Sequence, residues 1–406
     1  MSSLRIAILA TLDTKAEEAG WVAERLRALG AQPVLVDFGV VGQAGLEAQI
    51  TREAVAEAGG SPLSELLEDP DRQQASPVMV AGASVLLGAE VARGTLHGAV
   101  AMGGTQGTSN ASEILRSLPY GFPKVMVSTV ASGDTSSFVG IKDVVMFPSV
   151  GDLLGLNPFT RRILSNAAGA VWGMAQEAAR EVPTESSRPT IALTNLGVLT
   201  DGAERAVARF RDAGYEVIVF HAVGAGGLAM EQMMREGLIG GVFDYALGEI
   251  SDELFGGLRA ADATRLTVAA ELGLPQVLCP GGSEHVGLLV EPNQVPEAWA
   301  HHQVVFHNPI ILAPRLSAKQ WCEVAREIGR RLAEVHGPAA MFLPLAGTSR
   351  YGVEGGELRD PEGDQRFFEA LRAALPEAVE VHAIDAGAED HAFVDAAVDR
   401  LIAMLD

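Results

Sequence analysis

The feature that most constrains this chain is a strand–helix–strand grammar written near the N-terminus and written again past the midpoint. An apolar run, Ile6-Ala7-Ile8-Leu9, is followed by the polar turn Thr11-Leu12-Asp13-Thr14-Lys15. Apolar residues then recur at helical spacing over 17–29 (Trp21, Val22, Leu26, Leu29), Gly30 stops the helix, and Pro33-Val34-Leu35-Val36-Asp37 reads as the next strand. A βαβ opening favours a parallel sheet covered by helices. The order returns with a strand over 190–194, a helix over 203–213, a stop at Gly214 and a strand over 216–220. Strand candidates at 97–102 and 123–127 find counterparts at 240–244 and 275–279.

The expected fold is therefore α/β: two consecutive doubly wound (Rossmann-like) parallel-sheet units, a divergent internal duplication, with a cleft between them. The boundary is expected in the polar, proline-bracketed stretch 181–189, after a helix over 166–180. That gives an N-terminal unit at 1–182 and a C-terminal unit at 190–406. The apolar periodicity of 392–405 reads as an amphipathic helix packed on one of them.

Composition narrows the function. A chain that is 48% hydrophobic and 20% charged can build a core in each half. A net charge of −22 opposes binding to nucleic-acid backbones or anionic membranes, while a local basic pocket remains compatible with one phosphate. Cys279 and Cys322 are isolated from each other and from any Cys/His cluster, which disfavours disulfide scaffolds and zinc sites and suits a cytoplasmic protein. Asp13 follows the first apolar run too soon for a signal peptide, and the weakly polar run 77–89 falls short of the roughly 20 residues of a membrane span.

In open α/β sheets ligands collect beyond the carboxyl ends of the strands. Gly103-Gly104-Thr105-Gln106-Gly107-Thr108 follows one such strand, with a helix expected from Ser109. Its glycines let the backbone approach an anion, and the helix N-terminus adds a favourable dipole. It is neither a Walker loop nor GxGxxG, and it reads equally as a tight turn with threonine caps. Ser128-Thr129-Val130-Ala131-Ser132-Gly133-Asp134-Thr135 follows the next strand. Its hydroxyls suit phosphate or ribose oxygens and Asp134 a hydroxyl or Mg²⁺, although capping alone explains two of these residues. Asp13, Thr14 and Lys15 follow the first strand, and Lys15 is the candidate counter-charge for phosphate, the competing reading being an exposed first-turn lysine.

In the second half, His221 and Gly224 to Gly227 offer another anion nest, with His221 as acid, base or donor, or else a glycine turn with a capping histidine. Glu249, Asp252 and Glu253 share one helical turn, and a solvated acidic face is the favoured reading over a metal site. Cys279 reads as a small core residue, and Ser349 lacks the GxSxG elbow of a serine hydrolase. No HExxH or HxH spacing points to zinc, and no metal ligand is assigned.

Taken in order, several segments resemble the Tm-one-like ATP-binding domain family. They are 12–18, 103–108, 123–134, 161–170, 214–221 with Gly224 to Gly227, 252–257, His307-Asn308-Pro309 and 360–364. The resemblance implies ATP binding, two units and self-association, and no particular reaction. On it, the amides of Gly103, Gly104, Thr105, Gly107 and Thr108 and the hydroxyls of Ser128, Thr129 and Ser132 would hold phosphates. Gly133 would allow close approach, Asp134 would meet a hydroxyl or Mg²⁺, and Asp13, Thr14 and Lys15 would complete the site. The alternative is an ATP-dependent enzyme acting on a small metabolite held by the C-terminal half, with His221 as general base. The chain departs from the family pattern at Ala246-Leu247-Gly248, Ala346-Gly347 and Glu389-Asp390, all in the second half, so a second ligand there would differ from that of relatives or be lacking.

Overall fold

The computed structural model describes residues 3–68, 72–180 and 188–406. The chain divides into two compact units, Met1–Pro183 and Thr184–Asp406. The stretch expected to separate them lies, over 181–187, outside the described residues.

The first unit is a five-stranded parallel sheet of β1 (Arg5–Ala10), β2 (Gln32–Asp37), β3 (Gly98–Gly103), β4 (Lys124–Ser128) and β5 (Val145–Pro148). Their spatial order is β2-β1-β3-β4-β5, so the chain reverses direction across the sheet between β1 and β3. Alternation along β1 builds two cores. Ile6 and Ile8 pack with Val22 and Leu26 of helix Ala16–Ala28 and Leu164 and Val171 of helix Pro158–Ala178. Ala7 and Leu9 pack on the other face with Met79, Ala83 and Leu87. Those three belong to helix Arg72–Ala92, whose window Ala75–Ala92 has a mean hydropathy of 1.5 and is long and apolar enough to cross a membrane. The run expected to be too short thus continues as one helix, with one face in this core.

The second unit holds β6 (Ile191–Asn195), β7 (Val217–His221), β8 (Gly241–Ala246), β9 (Gln276–Gly281), β10 (Leu288–Leu289), β11 (Val304–Asn308), β12 (Ile311–Pro314), β13 (Ala339–Pro344) and β14 (Val379–Ile384). Its main sheet is parallel with the order β14-β13-β9-β8-β6-β7. Counted within the unit, the second, first, third and fourth strands lie side by side as in the first unit, and the reversal again falls between the first and third, β6 and β8. Between β9 and β13 the chain makes a small antiparallel sheet, β10-β12-β11, that the repeat did not announce. Helix His391–Leu405 buries Phe393, Val394, Ala397, Val398 and Leu401 in this unit's core, in keeping with the period read from the sequence.

Candidate functional site: the crevice at the first sheet's reversal

The reversal of strand order leaves room between the loops after β1 and β3, because their following helices go to opposite faces. A cavity of about 390 Å³ opens there, within the range of small-molecule sites. The loop after β1 contributes Thr11, Asp13, Thr14 and Lys15, and the end of β2 contributes Phe38, Gly39, Val40 and Val41. Gly103 to Gly107 close the third side, and Ala75, Ser76 and Asn110 the fourth.

The glycine loop is shorter than its sequence suggests. Gly103 and Gly104 make the whole turn and the helix begins at Thr105, four residues before the expected start. No side chain caps this helix, so the amides of its first turn are left to the cavity they border. Gly103 is required sterically, since a Cβ there would stand 2.7 Å from the carbonyl carbon of Gly107. Gly104 has space, its nearest neighbour being the Thr129 hydroxyl at 3.8 Å.

Asp37, buried at the end of β2, fixes the other walls. Its Oδ1 accepts the amides of Leu12 at 3.1 Å and Gly39 at 2.9 Å, and burial raises its pKa against the pull of those bonds. Lys15 is the one lysine lining the cavity, and its Nζ donates to the Leu153 carbonyl. Asp13 supplies the acidic lining side chain, beside Gly42. At the far end Gln106 Nε2 donates to Asn110 Oδ1 at 2.9 Å, and Asn110 Nδ2 to Ser76 Oγ at 3.1 Å. The cavity thus combines uncapped helix amides and the Lys15 side chain with the apolar side chains of Phe38, Val40 and Val41.

The remaining residues singled out in this half are not in the lining. Thr108 and Ser128 are buried, with their hydroxyls 2.8 Å apart, and join the helix to β4. Thr129 is half-buried, and its amide donates to the Gly103 carbonyl at 3.2 Å. Ser132, Gly133 and Asp134 are exposed on the loop after β4. The Asp134 carboxylate accepts the Ser136 amide at 2.9 Å, a bond that holds its pKa below the usual value. The structure thus gathers Asp13, Thr14, Lys15, Gly103, Gly104, Thr105 and Gly107 around one cavity and leaves the hydroxyl-rich loop outside it.

In the second unit the nest expected at Gly224 to Gly227, after β7, is filled from within. The amides of Gly224 and Gly227 donate to Glu249 Oε1 at 2.7 and 3.2 Å, and Arg265 Nε donates to Glu249 Oε2 at 2.6 Å. A Cβ on Gly227 would lie 2.2 Å from that Oε2. Arg265 also grips Asp244 at 2.6 and 2.8 Å, and the whole group is buried. Asp252 is buried likewise, bonded to Arg259 through Nε at 3.0 Å and Nη2 at 2.7 Å. The acidic turn 249–253 is therefore no solvated face at Glu249 and Asp252, because each has a buried arginine partner. Sequence reasoning missed Arg259 and Arg265, whose only sign was a pair of arginines seven to sixteen residues beyond those acids.

The loop after β9 is closed in the same way. Burial alone would raise the pKa of Glu284, but His285, with Nδ1 3.1 Å away, and the hydroxyl of Ser349 draw it down to about 2. Thr348 Oγ1 binds the second oxygen at 2.8 Å. Ser349 thus serves a buried carboxylate. Burial raises the Cys279 thiol, matching a core role. His221 is exposed at the end of β7, with Nδ1 3.3 Å from the Asn195 carbonyl. Glu389, one of the departures from the family pattern, accepts the Asp201 amide at 3.0 Å and pairs with Arg350. Among the described residues no cluster of His, Cys, Asp and Glu has metal-binding geometry.

Comparison with known proteins covers both units. The N-terminal domain of the Uncharacterised protein family (UPF0261) matches residues 4–180, and its C-terminal domain matches 188–405. A UPF0261 protein of Clostridium tetani is 37% identical over 99% of each chain. One from Rhizobium meliloti is 38% identical over 91% of each. The ToMV resistance protein Tm-1(GCR237) of Solanum lycopersicum is 34% identical over 76% of this chain and 41% of its own length.

Proposed function

The chain belongs to the UPF0261 family, and from that premise we propose that its first unit is a nucleotide-binding module, with ATP as ligand, held in the crevice between the ends of β1, β2 and β3. The observation that carries this reading is the meeting of uncapped helix amides, Gly103-Gly104 and Lys15 in one open cavity. Amides directed at an anion with a lysine beside them suit phosphate oxygens. Phe38, Val40 and Val41 suit the flat face of a base, and Asp13 or Thr14 a ribose hydroxyl or the water shell of an accompanying Mg²⁺. The resemblance to Tm-one-like ATP-binding domains points to the same ligand. The second unit contributes no comparable nest, because Glu249 occupies the position a phosphate would take.

Calorimetric titration with ATP and Mg²⁺ tests the reading on the native chain and two variants. Gly104→Arg fills the turn without strain, since Gly104 has φ −77° and an open Cβ direction. Its binding is expected to be lost. Lys15→Ala removes the cation and is expected to weaken binding about 10-fold or more. Absence of binding by the native chain, or equal binding by all three proteins, overturns the proposal.

A further inference from the structure

We infer that the connection between β5 and helix Pro158–Ala178 is a strap whose order is coupled, through Lys15, to the occupant of the first unit's crevice; the inference rests on the nucleotide reading above. The strap starts at Ser149, whose N–H continues the β4–β5 ladder by donating to Ser128 O at 2.9 Å, and it ends at the Asn157 cap. At its start the chain turns sharply. Gly151 N donates to Ser149 O at 2.7 Å, and Ser149 Oγ donates to Gly151 O at 2.6 Å. Val150, at the centre of this three-residue turn, has φ 61°. A β-branched residue in the left-handed region is strained, and such strain persists only where the surroundings hold it. Solvent surrounds this turn: Val150 is 80% exposed and Leu154 84%. Two large apolar side chains thus stand in water on a turn that local preference disfavours.

Three anchors hold the strap in place. The Leu153 side chain is fully buried in the core that contains Leu164 and Val171. Gly155, itself left-handed at φ 76°, donates its N–H to Oε1 of the buried Glu18 at 2.9 Å. The third anchor is Lys15, whose Nζ donates to the Leu153 carbonyl. Only this one reaches the crevice, because Lys15 lines the cavity and neither Glu18 nor any strap residue does.

Lys15 is placed so as to need a second partner. It stands just before helix Ala16–Ala28, where the positive end of the helix dipole disfavours a cation. An ammonium carries three donor hydrogens, and the Leu153 carbonyl takes one. Among the described residues no carboxylate pairs with it. An anion in the crevice supplies that partner and fixes the ammonium. Holding a lysine side chain still costs rotamer freedom, and once the anion has met that cost the bond to Leu153 forms without further loss. Occupancy therefore tightens the strap while the chain keeps its path. The effect is reciprocal: a loosened strap lowers the affinity for the anion by the same factor.

Hydrogen exchange over 149–157, followed by mass spectrometry on the full chain, tests the coupling. Saturating ATP with Mg²⁺, and separately pyrophosphate, which isolates the anion from the base, are each expected to slow exchange of this segment about 5-fold or more. Lys15→Met keeps the aliphatic stem and removes the charge. Its strap is expected to exchange about 5-fold faster than native with no ligand present. Gly155→Ala strains the strap through its left-handed backbone, has space for the methyl group, and alters no lining residue of the cavity. It is expected to speed exchange and to weaken ATP binding by the same factor. Circular dichroism establishes that each variant is folded, and the native comparison with and without ligand decides alone if Gly155→Ala is not. ATP binding that leaves 149–157 unchanged overturns the inference while the nucleotide reading stands. A Lys15→Met strap that exchanges like the native one, or a loosened Gly155→Ala strap with native affinity, overturns it too. A native chain that binds neither ATP nor pyrophosphate overturns both readings.

Discussion

Replacing Glu249 by alanine removes the carboxylate that fills the glycine nest of the second unit, and the structure sets the size of the effect. Two buried amides, Gly224 and Gly227, lose their acceptor, and Arg265 loses one of its partners. Breaking a buried ion pair from one side costs about 3–5 kcal/mol. The low end applies here, because Arg265 keeps Asp244 at 2.6 and 2.8 Å. Each orphaned amide adds roughly 1 kcal/mol, for a total of about 5 kcal/mol. That approaches the whole stability of a typical domain, about 5–15 kcal/mol. Glu249→Gln keeps an oxygen for the amides and loses only the charge toward Arg265, so about half of that loss is expected. Urea unfolding followed by tryptophan fluorescence measures both, with hydrogen exchange in Gly241–Ala246 assigning the transition to this unit. Acetate at about 0.1 M should restore part of the alanine variant's loss, roughly 1.4 kcal/mol if it binds the vacated nest at about 10 mM. A loss below about 1 kcal/mol for the alanine variant, or a glutamine variant as damaged as the alanine one, refutes the reasoning.

Glu231 gives a pH prediction: burial, opposed by Arg265 and the Leu266 amide, lifts its pKa from 4.5 to about 7. A raised carboxyl pKa means the folded state binds the proton more tightly. Its contribution is therefore fully present below pH 4.5 and lost as pH rises through about 7, a change of about 3 kcal/mol. Glu231→Gln should flatten that part of the stability profile and be more stable than native at pH 8; an unchanged slope in urea unfolding between pH 5 and 8 refutes it. In the first unit, Gln106→Glu would set a carboxylate in the cavity wall. At about 8 Å from a phosphate charge and an effective dielectric of 20, the repulsion is about 2 kcal/mol, or roughly 30-fold in ATP affinity by calorimetry, and an unchanged affinity counts against the site.

Much of the architecture was legible because it rests on local signals. Strands such as β1 and β2 were readable from apolar runs, the first closed by the polar turn from Thr11 and the second following the helix stop at Gly30, and they extend only a residue beyond the expected limits. The duplication was readable from the same order of stops and strands, and the two sheets share the second-first-third-fourth arrangement. What escaped was set by distant partners. The helix start at Thr105 was hidden because Thr105 to Thr108 resemble a loop, whereas Thr108 is drawn into the interior by Ser128, twenty residues on. The start of helix Pro158–Ala178 lay eight residues before the expected one, although Asn157 and Thr160 form a capping box and Pro158 stands at the first helical position. The hydroxyls around Ser132 looked functional by density alone, and density does not tell which way a loop turns.

The two crevices show how one scaffold can leave a site in one copy and close it in the other. After β3 and after β8 a helix begins beside the reversal of strand order, and its second residue is Gln106 in the first unit and Glu249 in the second. A neutral amide at this position bonds sideways to Asn110 and leaves the neighbouring backbone amides to the cavity. A carboxylate does the opposite: it seeks amides and an arginine, and finds Gly224, Gly227 and Arg265. Once there it is a fixed internal anion, and an incoming phosphate would have to displace it from three donors at 3.2 Å or less. Glu284, bonded by Thr348, Ser349 and His285, closes the next loop by the same chemistry. Side-chain charge at these positions, rather than glycine content, therefore decides which crevice stays open. By that rule the first unit keeps its crevice open, while the second fills the corresponding position with its own carboxylate and gains a rigid, buried ion pair instead.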